Sequence, residues 1–448
     1  MSTTSVTTRE SHKRYLLSER YKSLTSIKEL QAATQGAINV EMTTIPLYLN
    51  ALYSIVDRSS EAFQVLRSVV MEEMFHVNQA ANILVGIGGT PQFTGDVVPK
   101  YPSYLPGANP NTTPYIGLFE ASKDVFSNVF MAVERPAAFE APPEGANFDT
   151  IGQYYAGLWL GIEACVKAYG HDKVFRQEPG RHQLLNIYLG KFGGKPIQVT
   201  SEVTAKEAIN EIVRQGEGAV TESGQLVPVQ PYGAYQYYGH RTDGTYGPIM
   251  GVPLEMSHYI KFQKIANTPD FPSTYPIISN AQLSDYTNEV AIDCAIAFNK
   301  IYSLMLRTLE LSFKEEGFSS QLYFRFTLPL MHEYLPNLAW VLMQVPVTAD
   351  GSGDVGPNAS PLWLWDPDSS VDQTITALEK AAASAAAAGL TVALPRGTRT
   401  PSAAPASPAV VVGSATPTAP STVQERLNDV VVGLRRLKAL IDVSHLGL

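Results

Sequence analysis

The sequence predicts a mainly α protein, a four-helix bundle with additional helices and long loops, ending in a flexible C-terminal tail. Three observations predict it. Apolar residues recur at helical spacing through long runs, several opened by capping-box patterns. Two Glu-x-x-His units, Glu73 to His76 and Glu255 to His258, fall on apolar helical faces. From Val347 the composition turns to Ala, Pro, Ser and Thr, and an amphipathic segment then closes the chain.

The bulk numbers bound the answer. A chain of 448 residues holds two or three average domains, or one large domain with appendages. With 45% hydrophobic and 17% charged residues it has the profile of a globular protein with a sizeable core. A formal net charge of -9 and the lack of a long basic run argue against a nucleic-acid partner. Cys165 and Cys294 cannot form a disulfide framework, which fits a reducing compartment. The extension 1–23 lacks the apolar core of a secretory signal, and no stretch reaches the roughly 18 apolar residues of a membrane span. The expectation is a soluble, cytoplasmic protein without membrane contact.

The first helix opens at the capping box Ser26-Ile-Lys-Glu29 and runs through Ala37, Ile38 and Ile45 towards Leu52, with Pro46 expected to kink it. Glu41 lies on its buried stripe. The polar turn 57–60 is short enough to make the second helix an antiparallel neighbour. That helix carries Glu73 and His76 among Val69, Val70 and Val77, and ends at Gly86, Gly88 and Gly89. A Pro-, Tyr- and Gly-rich wrapping loop follows, then a mixed region that includes Phe126-Ser-Asn-Val-Phe-Met. A third apolar helix covers Ile151 to Ala168. Residues 181–199 suit a strand or an irregular insertion equally well.

Thr204-Ala-Lys-Glu207 reads as a second capping box, opening a helix with Ile209, Ile212 and Val213 on its buried face. Glu217, four residues after Val213, continues that stripe, whereas Glu211 lies opposite; helical phase therefore selects Glu217 as the inward acid. A Tyr- and Gly-dense loop with Tyr235, Tyr237 and Tyr238 leads to Glu255 and His258. Two long helices are then expected, 281–314 and 323–343. Residues 347–421 read as an Ala/Pro/Ser/Thr-rich linker. The box Thr422-Val-Gln-Glu425 introduces a docking helix within 422–448, with Leu427, Val430, Leu434, Leu437 and Ile441 on one side.

These helices together offer Glu41, Glu73 with His76, Glu217, and Glu255 with His258. One inward Glu from each of two helices plus Glu-x-x-His from each of two others is the ligand set of a dimetal carboxylate bundle. Several hard oxygen donors neutralise two divalent ions, and imidazole suits iron or manganese as a terminal ligand. Two irons are expected, with manganese the alternative. Glu163, near Leu160 and Val166, is the rival to Glu217. Glu72 points away from Glu73 and reads as a supporting or surface acid. The structural alternative is a bundle whose carboxylates are satisfied by hydrogen bonds.

The runs Glu41-Met-Thr-Thr-Ile-Pro-Leu-Tyr48, Glu72-Glu-Met-Phe-His76, Gly88-Gly-Thr-Pro91, Thr150-Ile-Gly-Gln-Tyr-Tyr155, Gln215-Gly-Glu-Gly218 and Ser257-His-Tyr-Ile-Lys-Phe262 together resemble a ferritin-like family. It is the family of the domain in violacein-pathway iminophenylpyruvate dimer synthase and of stand-alone bacterial relatives. The resemblance spans about 24–346 and implies a ferritin-like bundle and oxidative chemistry on amino-acid-derived substrates. Its Gln-Gly-Glu-Gly pattern also supports Glu217. Gln153 stands where relatives often carry an acid.

The expected function is thus a non-haem diiron oxidase or oxygenase using dioxygen on a small organic substrate. The alternatives are a ferroxidase and a structural metal-binding bundle without turnover. The linker and terminal amphipathic segment resemble the tethered targeting peptides of cargo enzymes packaged in protein shells such as encapsulins. Docking on a partner enzyme and homotypic coiled-coil pairing into a homo-oligomer are the other expectations for the tail.

Overall fold

A computed structural model describes residues 23–187, 196–220, 226–227, 256–314, 319–392, 421–440 and 448. Glu255, the tyrosines 235, 237 and 238, and residues 393–420 of the expected linker lie outside the described residues.

Helix α1 (Ile27–Ser54) starts where the sequence places it, with Ser26 and Glu29 closing a reciprocal capping box. Pro46 sits inside it without ending it. The Ser60 side chain caps α2 (Glu61–Gly86), and α1 and α2 pack along each other as an antiparallel hairpin. Helix α2 is buried almost all round, so its polar residues must find partners inside the protein.

The wrapping loop is pinned to α1 by side chains. Gln35 bonds the backbone of Gln92 in both directions, and the Tyr101 hydroxyl donates to the Thr43 carbonyl at 2.6 Å. Beyond it, α3 combines Lys123–Val125, a π-helical turn Phe126–Phe130 and Met131–Val133. Helix α4 (Ile151–Tyr169) is capped by Thr150. Helix α5 (Glu202–Gly216) begins three residues earlier than the sequence suggests: Ser201 is the cap and Thr204 takes the third helical position, which the expectation had assigned to Glu207. Ser201 wins because its backbone is extended and its hydroxyl accepts from Thr204 N.

Helices α1, α2, α5 and α4 close a ring in which each packs against the next, a four-helix bundle in which α4 takes the place expected for the helix of His258. Helix α6 (His258–Ala266), capped by Ser257, lies across α2 and α3. A second layer covers the outer side of the α1–α2 hairpin. It contains α7 (Glu289–Ser312) and α8, the composite run Ser319–Leu322, Tyr323–Thr327, Leu330–Tyr334 and Leu335–Leu342, whose two middle parts are π-helical. Trp363 fills the core of this layer against Phe298 and Tyr302.

The described residues 347–392 depart from the linker expectation. Their Ala-rich run is helix α9 (Val371–Ala388), packed on α7 with Leu378, Ala381, Ala382 and Ala385 buried. Alanine buries little area per residue, but it lets helix axes approach closely and has the highest helix propensity. The amphipathic segment is α10 (Val423–Leu440), opened by the expected Thr422–Glu425 box. It docks on its own chain, against α9 and α8. A two-residue antiparallel pairing of 391–392 with 421–422 joins the two helices, and ion pairs Arg435–Glu379 and Lys438–Asp372 flank the contact.

Leu434 is fully buried in that contact, whereas Val432 is 44% exposed. Leu434→Ala should lower unfolding free energy by about 2–5 kcal/mol, and Val432→Ala by less than about 0.5 kcal/mol. Urea titration followed by circular dichroism measures both; equal, negligible effects would mean that α10 is a free tether.

Candidate metal centre

Inside the bundle ring, α1 and α2 bring Glu41, Glu73 and His76 together, and α6 adds His258. The His258 side chain is fully buried, and Glu41, Glu73 and His76 are at most 2% exposed. Glu73 stands between the two imidazoles. Its Oε1 is 2.8 Å from His258 Nδ1, its Oε2 is 3.8 Å from His76 Nδ1, and Oε2 also accepts from the Thr44 hydroxyl at 2.8 Å. The rings face each other with centroids 5.3 Å apart.

On either side of Glu73 the same arrangement occurs. His76 Nδ1 lies 3.6 Å from Glu41 Oε2, and the Tyr155 hydroxyl donates to Glu41 Oε1 at 2.7 Å. Across the centre, His258 Nδ1 lies 3.6 Å from Glu134 Oε2, and the Tyr48 hydroxyl donates to Glu134 Oε1 at 2.6 Å. Each imidazole turns Nε2 outward to an acceptor: His76 to Gln215 Oε1 at 3.0 Å, His258 to Glu72 Oε2 at 2.9 Å. An Nε2–H donated outward leaves the Nδ1 lone pair for the centre, the usual device for orienting a ligating histidine. The site is thus two matched half-sites, each a glutamate braced by a tyrosine and a histidine braced at Nε2, sharing Glu73.

Glu134 is absent from the sequence expectation. It follows α3, and its signal was legible: Phe126, Phe130 and Val133 set an apolar stripe that Glu134 continues four residues after Phe130. Glu217, selected by that same criterion, is placed differently. It is buried, but as the C-cap of α5 it accepts from Gly152 N at 2.5 Å and Ala137 N at 3.1 Å. It caps the N-terminus of α4 behind Glu134, whose charge it feels. Glu163 is exposed and belongs to the surface. Glu72 is a supporting acid, as expected, but a buried one. It accepts from Lys261 Nζ at 2.5 Å as well as from His258.

The electrostatics follow from burial. Burial raises the Glu41 carboxyl to about 7 against the pull of His76 and Tyr155. Burial also raises Glu217 to about 7, beyond what its two backbone donors offset. At Glu72 burial acts upward too, but Lys261 and His258 outweigh it and hold the group at about 2. Glu73 is likewise held below the usual carboxylate range, because His258 and His76 outweigh burial. Against burial, Glu41 and Glu73 raise His76 to about 10, and Glu134, Glu72 and Glu73 raise His258 well above its ordinary value. Burial and the neighbouring carboxylates keep Tyr48 and Tyr155 as neutral donors.

The donor set fits a cation. Glu73, His76 and His258 offer ligand atoms all within 4.8 Å of one another. His258 Nδ1 is buried without an aligned hydrogen bond, since the nearby Glu73 oxygen does not lie along its donor direction. A buried imidazole nitrogen close to carboxylate oxygens and left without a hydrogen bond is a ligand atom in position.

A family profile described as Ferritin-like matches residues 34–267, just over half of the chain. The chain belongs to the ferritin-like family. That match runs from α1 to α6, so it takes in every residue of the centre. Among solved structures, a ferritin like protein from Caulobacter vibrioides is similar to this ferritin-like chain, with 17% sequence identity and a TM-score of 0.49. The similarity covers 76% of this chain and 98% of that one. No curated protein sequence matches it. Among the described residues, no helix is long and apolar enough to cross a membrane.

A Cβ on Gly152 would collide with Glu217 Oε2. Gly152→Ala should therefore destabilise the protein by about 1–3 kcal/mol, although alanine ordinarily stabilises a helix interior. A raised melting temperature for this variant would contradict the Glu217 cap.

Proposed function

We propose that this ferritin-like protein is a non-haem dimetal carboxylate oxidase or oxygenase, holding two irons, with manganese the alternative metal. It would use dioxygen on a small organic substrate. The observation that carries the reading is the pair of matched half-sites sharing Glu73. Glu41 and His76 would hold one ion, Glu134 and His258 the other, and Glu73 would lie between them.

Charge supports a cation at the centre. Around the centre Glu41, Glu72, Glu73, Glu134 and Glu217 are buried with Lys261 as the compensating ammonium. Five carboxylates against one ammonium leave an excess of acid that divalent ions would compensate. A buried charge without compensation is costly enough to be neutralised by protons instead, which is the direction in which Glu41 and the two imidazoles move without metal.

When bound, such a metal pair supplies electrons to dioxygen and open positions for ligands. The protein's own groups do the positioning. Tyr155 and Tyr48 fix the outer carboxylates, Gln215 and Glu72 fix the imidazole tautomers, and Lys261 keeps Glu72 ionised. Rings of Phe126, Phe130 and Phe262 pack with Tyr48 beside Glu134 and exclude water from that side. An aromatic or amino-acid-derived substrate is supported by the resemblance to pigment-pathway relatives.

Metal analysis tests the centre. The wild type should carry two ions per chain, Glu73→Ala none, and Glu134→Ala about one. Glu217→Ala should keep both while melting lower, and the opposite ranking of these two variants would make Glu217 the ligand. Glu72→Ala should weaken metal affinity by about 10- to 100-fold, measured by chelator competition. Anaerobic loading with ferrous iron followed by air tests the reaction. Stoichiometric oxygen uptake, becoming catalytic only with an organic reductant, supports the oxidase. Sustained uptake with ferrous iron alone makes the protein a ferroxidase, and iron binding without uptake leaves a structural metal site.

A further inference from the structure

The α1–α2 hairpin has two sides, and the side away from the centre also encloses space. Between α1, α2, α7 and α8 lies a cavity of about 70 Å³ that opens towards the surface. None of its lining residues is one of the centre's carboxylates or imidazoles, and none is acidic, lysine or arginine. Met42, Met74, Met305 and Met331 contribute flexible thioethers, and Tyr302, Tyr323 and Trp363 contribute rings. Thioether sulfur is polarisable, adapts to irregular ligands and makes favourable contacts with aromatic edges.

Two features give this wall polarity without charge. Pro46 and Met42 both line the cavity, and Pro46 has no N–H to give the Met42 carbonyl one helical turn earlier. A carbonyl deprived of its helical donor is an acceptor for a ligand's O–H or N–H. Opposite it, Tyr323 and His332 project from the two π-helical turns of α8, a rare geometry that recurs where helices build sites. Burial, with Arg67 adding to it, pushes His332 down to about 4, so its imidazole is neutral at pH 7.

We propose that this cavity is a second binding site, for an uncharged aromatic molecule that carries one hydrogen-bond donor. The thioether and aromatic lining and the Met42 carbonyl, to which Pro46 offers no N–H, select that class. A carboxylate or ammonium ligand would be stripped of water with no opposite charge to meet it. The site stands apart from the metal reading and survives its failure, because none of its lining residues is a proposed ligand.

Isothermal titration calorimetry of the full-length protein with 2-naphthol, naphthalene and 2-naphthoate tests it. Expected are one saturable 2-naphthol site per chain, with a dissociation constant on the order of 10–100 µM, and at least about tenfold weaker binding of 2-naphthoate. Leu309→Trp, a half-buried lining position, should fill the space and weaken 2-naphthol at least about tenfold while metal content and helicity stay unchanged. Should that variant not fold, Met331→Trp fills the cavity from α8. Pro46→Ala restores an N–H to the Met42 carbonyl and should remove the preference for 2-naphthol over naphthalene. Absence of saturable binding, equal affinity for 2-naphthoate, or wild-type affinity in the filled variant overturns the proposal.

Discussion

The structure depends on a carboxylate buried between two imidazoles. Glu73 lies in the middle of α2, a helix covered on nearly all sides, so its charge has no recourse to water. Leaving such a group uncompensated costs more than a typical domain can spare. Much of the local sequence reads as a response to it. Thr44 reaches it from α1, His76 from one turn along α2, and His258 from α6. Each imidazole is then held in turn, by Gln215 near the end of α5 or by Glu72 with Lys261. The polar network is fed by four helices, α1, α2, α5 and α6, and the partners from α5 and α6 sit near helix ends, where a side chain can be aimed without disturbing the packing of a helix middle.

This explains which parts were legible in the sequence. Glu41, Glu73 and His76 lie mid-helix, where phase alone decides the face, and phase placed them together correctly. Past a helix end the phase rule loses authority. Glu134 and Glu217 both continue an apolar stripe beyond the last full turn, and both are buried. One aims at His258; the other turns to the free N–H groups that open α4. Sequence periodicity reports burial for both and direction for neither, because direction there is set by the chain's exit path. Glu72 shows the complementary limit. A hundred degrees round the helix from Glu73 would face solvent in a two-layer bundle, but here α6 covers that face and brings Lys261.

The described part of the tail departs from what its composition suggests for a related reason. An Ala-rich stretch next to a Pro- and Ser-rich one has a composition that cannot build a core by itself. It does not need to. Helix α9 borrows the apolar surface of α7, and α10 then borrows that of α9 and α8, so each addition is stabilised by a surface already in place. The amphipathic pattern within 422–448 contains the helix Val423–Leu440, and here it packs on the same chain. A segment whose Leu427, Val430 and Leu434 are already buried must undock before any outside partner can read that face.

The two-sided use of the α1–α2 hairpin follows from its sequence. Neighbouring residues on these helices serve opposite sides: Glu41 and Met42, Glu73 and Met74, His76 and Val77. Adjacent positions are about a hundred degrees apart, so a helix buried all round can give one face to charge and the next to thioethers. The bundle then keeps the charged face, and the second layer of α7 and α8 is required to cover the apolar one. That requirement accounts for a chain far longer than four helices need. Once the hairpin is apolar on its outer side, the additional helices are the completion of its burial, and the proline and π-helical turns are where that completion leaves room.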